Sequence, residues 1–343
     1  MADKTTAIVK ESRLERHMHS KFAAKHIFAE SIVQKVKLPT RGDFMVAYVV
    51  HESESQADAD ATDEKPEETR VVLIMGYSHQ KEEWAPTVDA LLTQWKESGS
   101  TSKLKLLTFD NRGVGHSDAP WGRYSTQMLA DDVLALMDHL GWTKVHVVGI
   151  SMGGMISQEL ALKGGPERIQ SLTLMVTTRG WFSPAISALP TIFKSTLSSD
   201  PAVITSCEVS FLYPESFINT PIAGEGNRTM REVLYEYHTH GSGTRSSPAV
   251  SGALGQTSAL IFHYVDDNRL VKIKDHGYPV LIIGAENDLC IDVSHAHYLE
   301  KMLAADHVVA KFYKDTGHAV FLQHIDEVAS DLLGVIRRAK TKN

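Results

Sequence analysis

Apolar residues follow two alternating patterns along the chain. Short apolar runs occur at Val71 to Met75, Leu104 to Phe109, Val145 to Ile150, Leu172 to Val176, Val280 to Ile283 and Val308 to Phe312. These read as strands, and several are apolar on both faces, as parallel strands covered by helices must be. Between them lie segments with helical spacing, at Pro86 to Glu97, Ser125 to Leu140 and Gly154 to Lys163. The first opens with a proline, which suits an initial helical position. In the second, Met128, Val133, Leu134, Met137 and Leu140 mark one face. Strand alternating with helix predicts an α/β fold with a mostly parallel central sheet and helices on both faces. Upstream, Lys35 to Leu38 and Phe44 to Val50 read as short strands around a turn at Arg41-Gly42-Asp43.

The alternation fails between Gly180 and Asp266. This stretch holds Trp181, Phe182, Leu189, Ile192, Phe193, Phe211, Leu212, Tyr213 and Phe217, broken by prolines and by Gly241-Ser242-Gly243. It is too long for a bare loop, so it predicts a mainly helical cap, or lid, inserted between two sheet strands over their carboxyl edge. The expected division is an N-terminal arm at 1–34, a core at 35–179 and 267–343, and the cap at 180–266. Residues 11–30 have the pattern of a short amphipathic surface helix. The stretch 52–68 lacks periodic apolar positions and reads as a solvated acidic loop.

Composition narrows the function classes. The chain has 343 residues, 43% hydrophobic and 22% charged, which fits an ordinary globular protein with a sizeable core. Lys and Arg number 35 against 42 Asp and Glu, a formal charge of -7, which speaks against a dedicated nucleic-acid binder. Residues 52–69 hold eight carboxylates and one lysine, a net of 1 - 8 = -7, so the remainder is nearly neutral. Cys207 and Cys290 cannot make a disulfide framework, and a reducing compartment is the simpler reading. No apolar run reaches the length of a membrane span, and the first thirty residues lack the apolar block of a secretory signal. The expectation is a cytoplasmic protein with no membrane span.

The strongest local motif is Gly149-Ile150-Ser151-Met152-Gly153-Gly154, after one predicted strand and at the start of a helix. A serine on so sharp a turn is lifted above the sheet edge, and small glycines relieve the crowding. The helix amino terminus behind it favours developing negative charge. A serine hydroxyl is a weak nucleophile and needs a base, which in turn needs an orienting acid. Asp288, in Gly284-Ala285-Glu286-Asn287-Asp288, follows the strand Val280 to Ile283, and His318, in Thr316-Gly317-His318, follows the strand Val308 to Phe312. The order Ser, Asp, His is that of an α/β-hydrolase sheet. Glu286 shares the acid loop and is the alternative acid. The oxyanion donors expected are the backbone N–H groups of Met152 and of Tyr77, in the loop Gly76-Tyr77-Ser78. The side chains of Tyr77 and His79 are candidate pocket lining.

Over roughly Leu73 to Leu333 the chain resembles the α/β-hydrolase fold superfamily, in its serine esterase, enol-lactonase and carbon-carbon-bond hydrolase branch. The resemblance rests on Phe109-Asp110-Asn111-Arg112-Gly113-Val114-Gly115-His116-Ser117, on Tyr124-Ser125 followed by Asp131-Asp132, on His146 to Gly154, and on Gly317-His318. It implies that Ser151, the loop acid and His318 form a triad, and that the loop from Asp110 to Ser117 braces the sheet edge. Two positions depart from the pattern. Met75-Gly76 stands where His-Gly is common, and the acid loop is one residue longer than the usual spacing, with Asn287 where the acid often falls.

A serine at the elbow forms an acyl intermediate, whereas relatives that dehalogenate or open epoxides use an aspartate there. The expected activity is hydrolysis of carboxylic esters of small or medium apolar substrates, with the aromatic-rich cap over the apolar portion. No cofactor or metal is called for. His116, His263, His295 and His297 do not form a convincing ligand set. The alternatives are an enol-lactonase, a carbon-carbon hydrolase or an acyltransferase on the same triad, all with small-molecule substrates. From another class comes a ligand-binding receptor with little turnover. The sequence does not fix the oligomeric state.

Overall fold

The computed structural model describes residues 28, 32–40, 43–53, 67–181, 184, 186–222, 226–244 and 249–340. The predicted arm helix at 11–30 lies outside the described residues except for Phe28. So do Arg41 and Gly42 of the first turn, most of the acidic loop at 52–68, and Phe182.

Eight strands form one sheet: β1 (Gln34–Leu38), β2 (Phe44–Glu52), β3 (Glu68–Ile74), β4 (Lys103–Phe109), β5 (Val145–Ile150), β6 (Ile169–Met175), β7 (Val280–Ala285) and β8 (Val308–Tyr313). Their spatial order is β1-β2-β4-β3-β5-β6-β7-β8. β2 pairs antiparallel with β1 and β4, and every pair from β4 to β8 is parallel. All the sequence-predicted strands are present; β5 has the predicted ends and the others have shifted ends. The largest shifts are at the starts of β3 and β6, three residues each: β3 begins at Glu68 where the pattern suggested Val71, and β6 at Ile169 where it suggested Leu172, because polar residues that precede each apolar run, among them Thr69 and Ser171, are buried in the sheet.

Twelve α-helices, with short 3-10 turns at Lys81–Trp84 and Ile186–Ala188, accompany the sheet among the described residues. Those in the core are α1 (Ala85–Glu97), α2 (Thr126–His139), α3 (Met152–Arg168), α9 (Asp267–Asp275), α10 (Ser294–Leu303), α11 (Val320–Gln323) and α12 (Ile325–Lys340). Side chains that alternate along the strands feed two separate apolar layers. Val71, Leu73, Val148, Ile150, Leu281 and Ile283 pack with α1 and α12. Val72, Ile74, Val145, Val147, Val280 and Ile282 pack with α2, α3, α9 and α10. A sheet covered on both faces explains why every residue of β5 and β7 is buried. α3 runs beyond the predicted Lys163 and bends at Gly165, whose φ of 58° interrupts the helix.

Between β6 and β7 the chain forms α4 (Leu189–Leu197), α5 (Pro201–Leu212), α6 (Glu215–Ile218), α7 (Met230–Thr244) and α8 (Val250–Ile261). Among the described residues this segment holds no strand, only isolated bridges. Its two ends meet, since Gly180 pairs with Tyr264 and Val265 N–H donates to Arg179 O at 2.7 Å.

Strand order dictates where a cleft opens. From β3 the chain steps to β4 on one side, then crosses to β5 on the other, so the loops after β3 and β5 diverge from adjacent strand ends. A crevice at such a switch point is the usual ligand site of an open α/β sheet.

Candidate active site

Ser151 occupies the turn between β5 and α3 with φ 55° and ψ -122°, a left-handed backbone that side-chain-bearing residues rarely adopt. The surrounding chain holds it there. Ser151 N–H donates to Met175 O at 2.9 Å, and Ser151 O accepts from Gly154 N–H at 2.9 Å and Thr177 Oγ1 at 2.7 Å. The glycines are required by close approach. A Cβ on Gly153 would overlap the carbonyl of Ile74, and one on Gly154 would come within 2.6 Å of Thr177 Cβ. Gly76, at the end of β3, sits so close that its Cβ would lie 3.1 Å from Ser151 Cβ. The loop after β3 and the serine turn therefore touch.

Asp288 lies just beyond β7 and His318 beyond β8. His318 Nδ1 is 2.7 Å from Asp288 Oδ2. The other carboxylate oxygen, Oδ1, accepts from the N–H groups of Cys290 at 2.7 Å and Ile291 at 2.9 Å. Both side chains are nearly buried, whereas Glu286 on the same loop is exposed. The extra residue in this loop is accommodated by a turn: Asn287 N–H bonds Thr316 O at 2.9 Å, leaving Asn287 exposed and Asp288 inward. Burial works against a charged His318 imidazole, but the Asp288 carboxylate, assisted by Cys290, outweighs it. The His318 pKa stands well above the ordinary 6.5.

Ser151 and His318 line one cavity of about 450 Å³. Gly76, Tyr77 and His79 line it from the loop after β3, as do Cys207, Phe211 and Leu212 from α5. Of the aromatic residues singled out in the sequence, Phe211 faces this space. Trp181 and Phe193 are instead largely solvent-exposed, and Tyr213 is buried against His238.

The loop after β3 is tied at two points. Ser78, itself at φ 61°, donates its N–H to Gln256 Oε1 at 2.8 Å. Gln256 Nε2 in turn donates to Arg112 O at 2.9 Å. Tyr77 OH is 3.0 Å from Thr257 Oγ1, so both tethers come from α8. Gln256 escapes sequence reasoning because a glutamine inside an apolar helix carries no motif.

The brace at Asp110 to Ser117 is built from buried charge. Asp110 accepts from Lys81 N–H and Lys81 Nζ, both at 2.9 Å, and from His116 N–H at 2.9 Å. Arg112 grips Asp132 with Nε and a terminal nitrogen at 2.9 and 2.7 Å and lies 3.6 Å over the Phe44 ring. Such a bidentate pair fixes geometry as well as charge.

The other histidines considered are scattered. His263 is buried beside Thr126 Oγ1 at 2.9 Å, and burial, with Arg269 adding to it, pushes its pKa down to about 3. His295 Nδ1 meets Thr178 Oγ1 at 2.8 Å, and His297 stacks on Phe312. Among the described residues no group of three His, Cys, Asp or Glu could hold a metal ion, and no helix is long and apolar enough to cross a membrane.

A family profile described as alpha/beta hydrolase fold matches residues 69–202. Curated relatives include a protein named putative carbamate hydrolase RutD from Caulobacter vibrioides, 28% identical over 230 residues, 65% of this chain and 74% of that one. The protein of the same name from Pseudomonas savastanoi pv. phaseolicola is 27% identical over 73% of this chain and 86% of its own length. Among solved structures, the enol-lactonase from Burkholderia xenovorans superposes with a TM-score of 0.63 at 19% identity, covering 89% of this chain and all of that one. The esterase from Exiguobacterium antarcticum gives 0.64 at 14% identity, with coverages of 89% and 99%. At such identities these likenesses speak for the fold.

Proposed function

We propose that this chain, which belongs to the α/β-hydrolase fold superfamily, is a serine hydrolase that cleaves carboxylic esters through an acyl-enzyme. The observation that carries the reading is the convergence of Ser151, held at φ 55°, and the His318–Asp288 pair, at 2.7 Å, on one cavity. Ser151 Oγ attacks the substrate carbonyl while His318 Nε2 takes its proton. Asp288, bonded to Nδ1, holds the ring in the orientation that directs Nε2 outward and stabilises the imidazolium. The negative charge on the carbonyl oxygen falls to the N–H groups of Met152, at the amino terminus of α3, and Tyr77. The C–O bond then breaks, and His318 returns the proton to the leaving alcohol. In the second half, His318 draws a proton from water as it attacks the acyl carbonyl, and Ser151 leaves with that proton.

The cavity of about 450 Å³ suits a small or medium substrate, and Phe211, Leu212 and Phe321 supply apolar contact for it. We read the helical segment between β6 and β7, which contributes α5 to the cavity wall, as the lid. The name of the curated relatives favours a second reading. A carbamate carbonyl is open to the same serine attack and would bind the same donors.

Labelling by a fluorophosphonate tests the nucleophile. The expected result is stoichiometric modification of the intact chain and none of Ser151→Ala. Turnover of a panel of acetyl to octanoyl nitrophenyl esters, with a matched carbamate, tests the bond cleaved. Cleavage of the carbamate with no cleavage of any ester would replace the first reading by the second.

A further inference from the structure

Helix α8 has two unlike sides. Toward the body of the protein it presents Ser251, Gly252, Gln256 and Ala259, all buried, and from this side Gln256 holds the loop after β3. On the other side Val250, Leu254 and Ile261 stand in solvent, each more than half exposed. Spacings of four and seven residues place these three on one stripe. No residue of α8 is charged. An apolar stripe turned outward reverses the arrangement of an ordinary surface helix.

Aromatic residues widen the stripe. The loop at 119–124 runs beside α8, where Ser251 Oγ donates to Ala119 O at 2.7 Å and Tyr124 N–H donates to Ser258 Oγ at 2.9 Å. On this loop Trp121 is 78% exposed, and the Arg123 guanidinium lies 4.4 Å over the exposed ring of Phe262, just past the end of α8. Two residues further, Tyr264 stacks on Trp181 with ring centroids 5.5 Å apart, and Trp181 is 73% exposed. Trp181 has a φ of 57°, a left-handed backbone that is costly for so large a residue, and the bridge from Gly180 to Tyr264 adjoins it. Strain that keeps a tryptophan ring in water does nothing for the core. It fits a surface shaped for contact.

Size and composition point to the occupant. At about 150–250 Å² for a whole aromatic side chain, these four rings and three aliphatic residues leave roughly 700 Å² of apolar surface open. The largest patch on an ordinary monomer is about 300–600 Å², whereas each partner in a standard stable interface contributes about 800 Å². Tryptophan, tyrosine and arginine are the residues that dominate binding energy at protein interfaces. The face is also self-complementary. It holds ring planes together with the guanidinium groups of Arg123 and Arg179, which pack on such planes, as contact between two identical faces requires. A lipid surface fits less well: Arg179 is already paired with Asp267 at 2.7 Å, residues 119–124, 179–181 and 250–264 include no lysine, and a formal charge of -7 disfavours anionic headgroups.

We infer that two copies of this chain pair through this face as a two-fold dimer, with α8 of one protomer against α8 of its partner. The dimer covers the outer side of the helix whose inner side steadies the loop bearing Tyr77. The inference concerns assembly and stands independently of the hydrolase reading.

Sedimentation velocity of the full-length chain tests it. A dimer is expected to predominate at about 10 μM. Leu254→Glu sets two like charges into an apolar contact, and Trp121→Ser with Phe262→Ser removes two rings. Each variant should raise the dimer dissociation constant by at least about 100-fold while keeping the circular dichroism of the unaltered chain, since the side chains changed are exposed. Phe193→Ser with Leu197→Ser alters exposed apolar residues of α4, outside the face, and should change the constant by less than about threefold. A chain that stays monomeric at about 100 μM would overturn the inference. So would a dimer that the α8 and Trp121 variants leave intact, or one that only the α4 variant dissociates. Flotation with phosphatidylcholine vesicles should recover no protein; binding of a monomer to them, lost in Leu254→Glu, would give the face to lipid instead.

Discussion

His318 Nδ1 and Asp288 Oδ2 stand 2.7 Å apart, while Asp288 Oδ1 is pinned by the N–H groups of Cys290 and Ile291. A carboxylate fixed at both oxygens cannot swing, so it dictates the tautomer and orientation of the imidazole. Asp288→Asn is expected to lower kcat on a nitrophenyl ester by about three to four orders of magnitude, as removal of an orienting carboxylate does. Glu286→Gln, on the solvent side of the same loop, should change kcat by less than about twofold. The reverse result would transfer the acid's role to Glu286.

The direction of the His318 shift makes a pH prediction. The proposed base must be neutral, so kcat/KM should rise with pH through a group titrating above 6.5, with the plateau on the alkaline side. Stability moves the opposite way. A pKa raised in the folded state gives stabilisation that is complete below 6.5 and is lost as pH climbs through the native value. Asp288→Asn removes the larger of the raising contributions while burial still lowers the pKa, so any remaining activity should titrate at lower pH. A pH–rate profile with its acid limb below 6 in the unaltered chain would contradict this assignment.

Gly153 faces the carbonyl of Ile74 at a distance that leaves no room for a methyl group. Gly153→Ala is expected to destabilise the fold by about 1–3 kcal/mol or more, since β3 or the serine turn must move. Urea unfolding gives the stability, and fluorophosphonate labelling of the folded fraction should slow as well. Unchanged values in both measurements would mean that the turn is more accommodating than its geometry implies.

Arg112 and Asp132 form a buried pair, with side chains 1% and 4% exposed. Removing one partner strands the other, so Arg112→Ala should cost about 3–5 kcal/mol in chemical denaturation. The double substitution Arg112→Met with Asp132→Leu should recover much of that loss, because no charge remains buried. If the single and double variants were equally unstable, packing against Phe44 would outweigh the ion pair.

Gln256 bridges Ser78 N–H and Arg112 O, and so links α8 to the loop that carries Tyr77. Gln256→Leu leaves both backbone groups without that partner, an expected loss of about 1–3 kcal/mol. It should also lower kcat more than it raises KM, since the expected oxyanion donor loses its support while the apolar lining is kept. An effect on KM alone would place Gln256 in substrate binding.

Much of this protein was legible in its amino-acid order. Parallel strands covered on both faces must be apolar throughout, so Val145 to Ile150 and Val280 to Ile283 stood out, and a serine between glycines at a strand end defined the turn. The order of Ser151, Asp288 and His318 along the chain placed the interruption between them. Strands were harder to delimit where polar residues are buried, as at Thr69 in β3 and Ser171 in β6.

The sequence favours Asp288 over Glu286 but is silent on the geometry that turns it inward: the extra loop residue is absorbed by the bond from Asn287 N–H to Thr316 O, a contact across 29 residues, and Asp288 is the carboxylate that meets His318. The approach of Glu208 Oε1 to His79 at 3.4 Å and His238 at 3.5 Å had no signal either, since these residues come from a loop and two helices far apart in the chain. Periodicity records which face of an element is dry, and local motifs record turns the backbone can make only with certain residues. Which side chains meet across a cavity depends on how separate elements pack, and only the tertiary structure decided that.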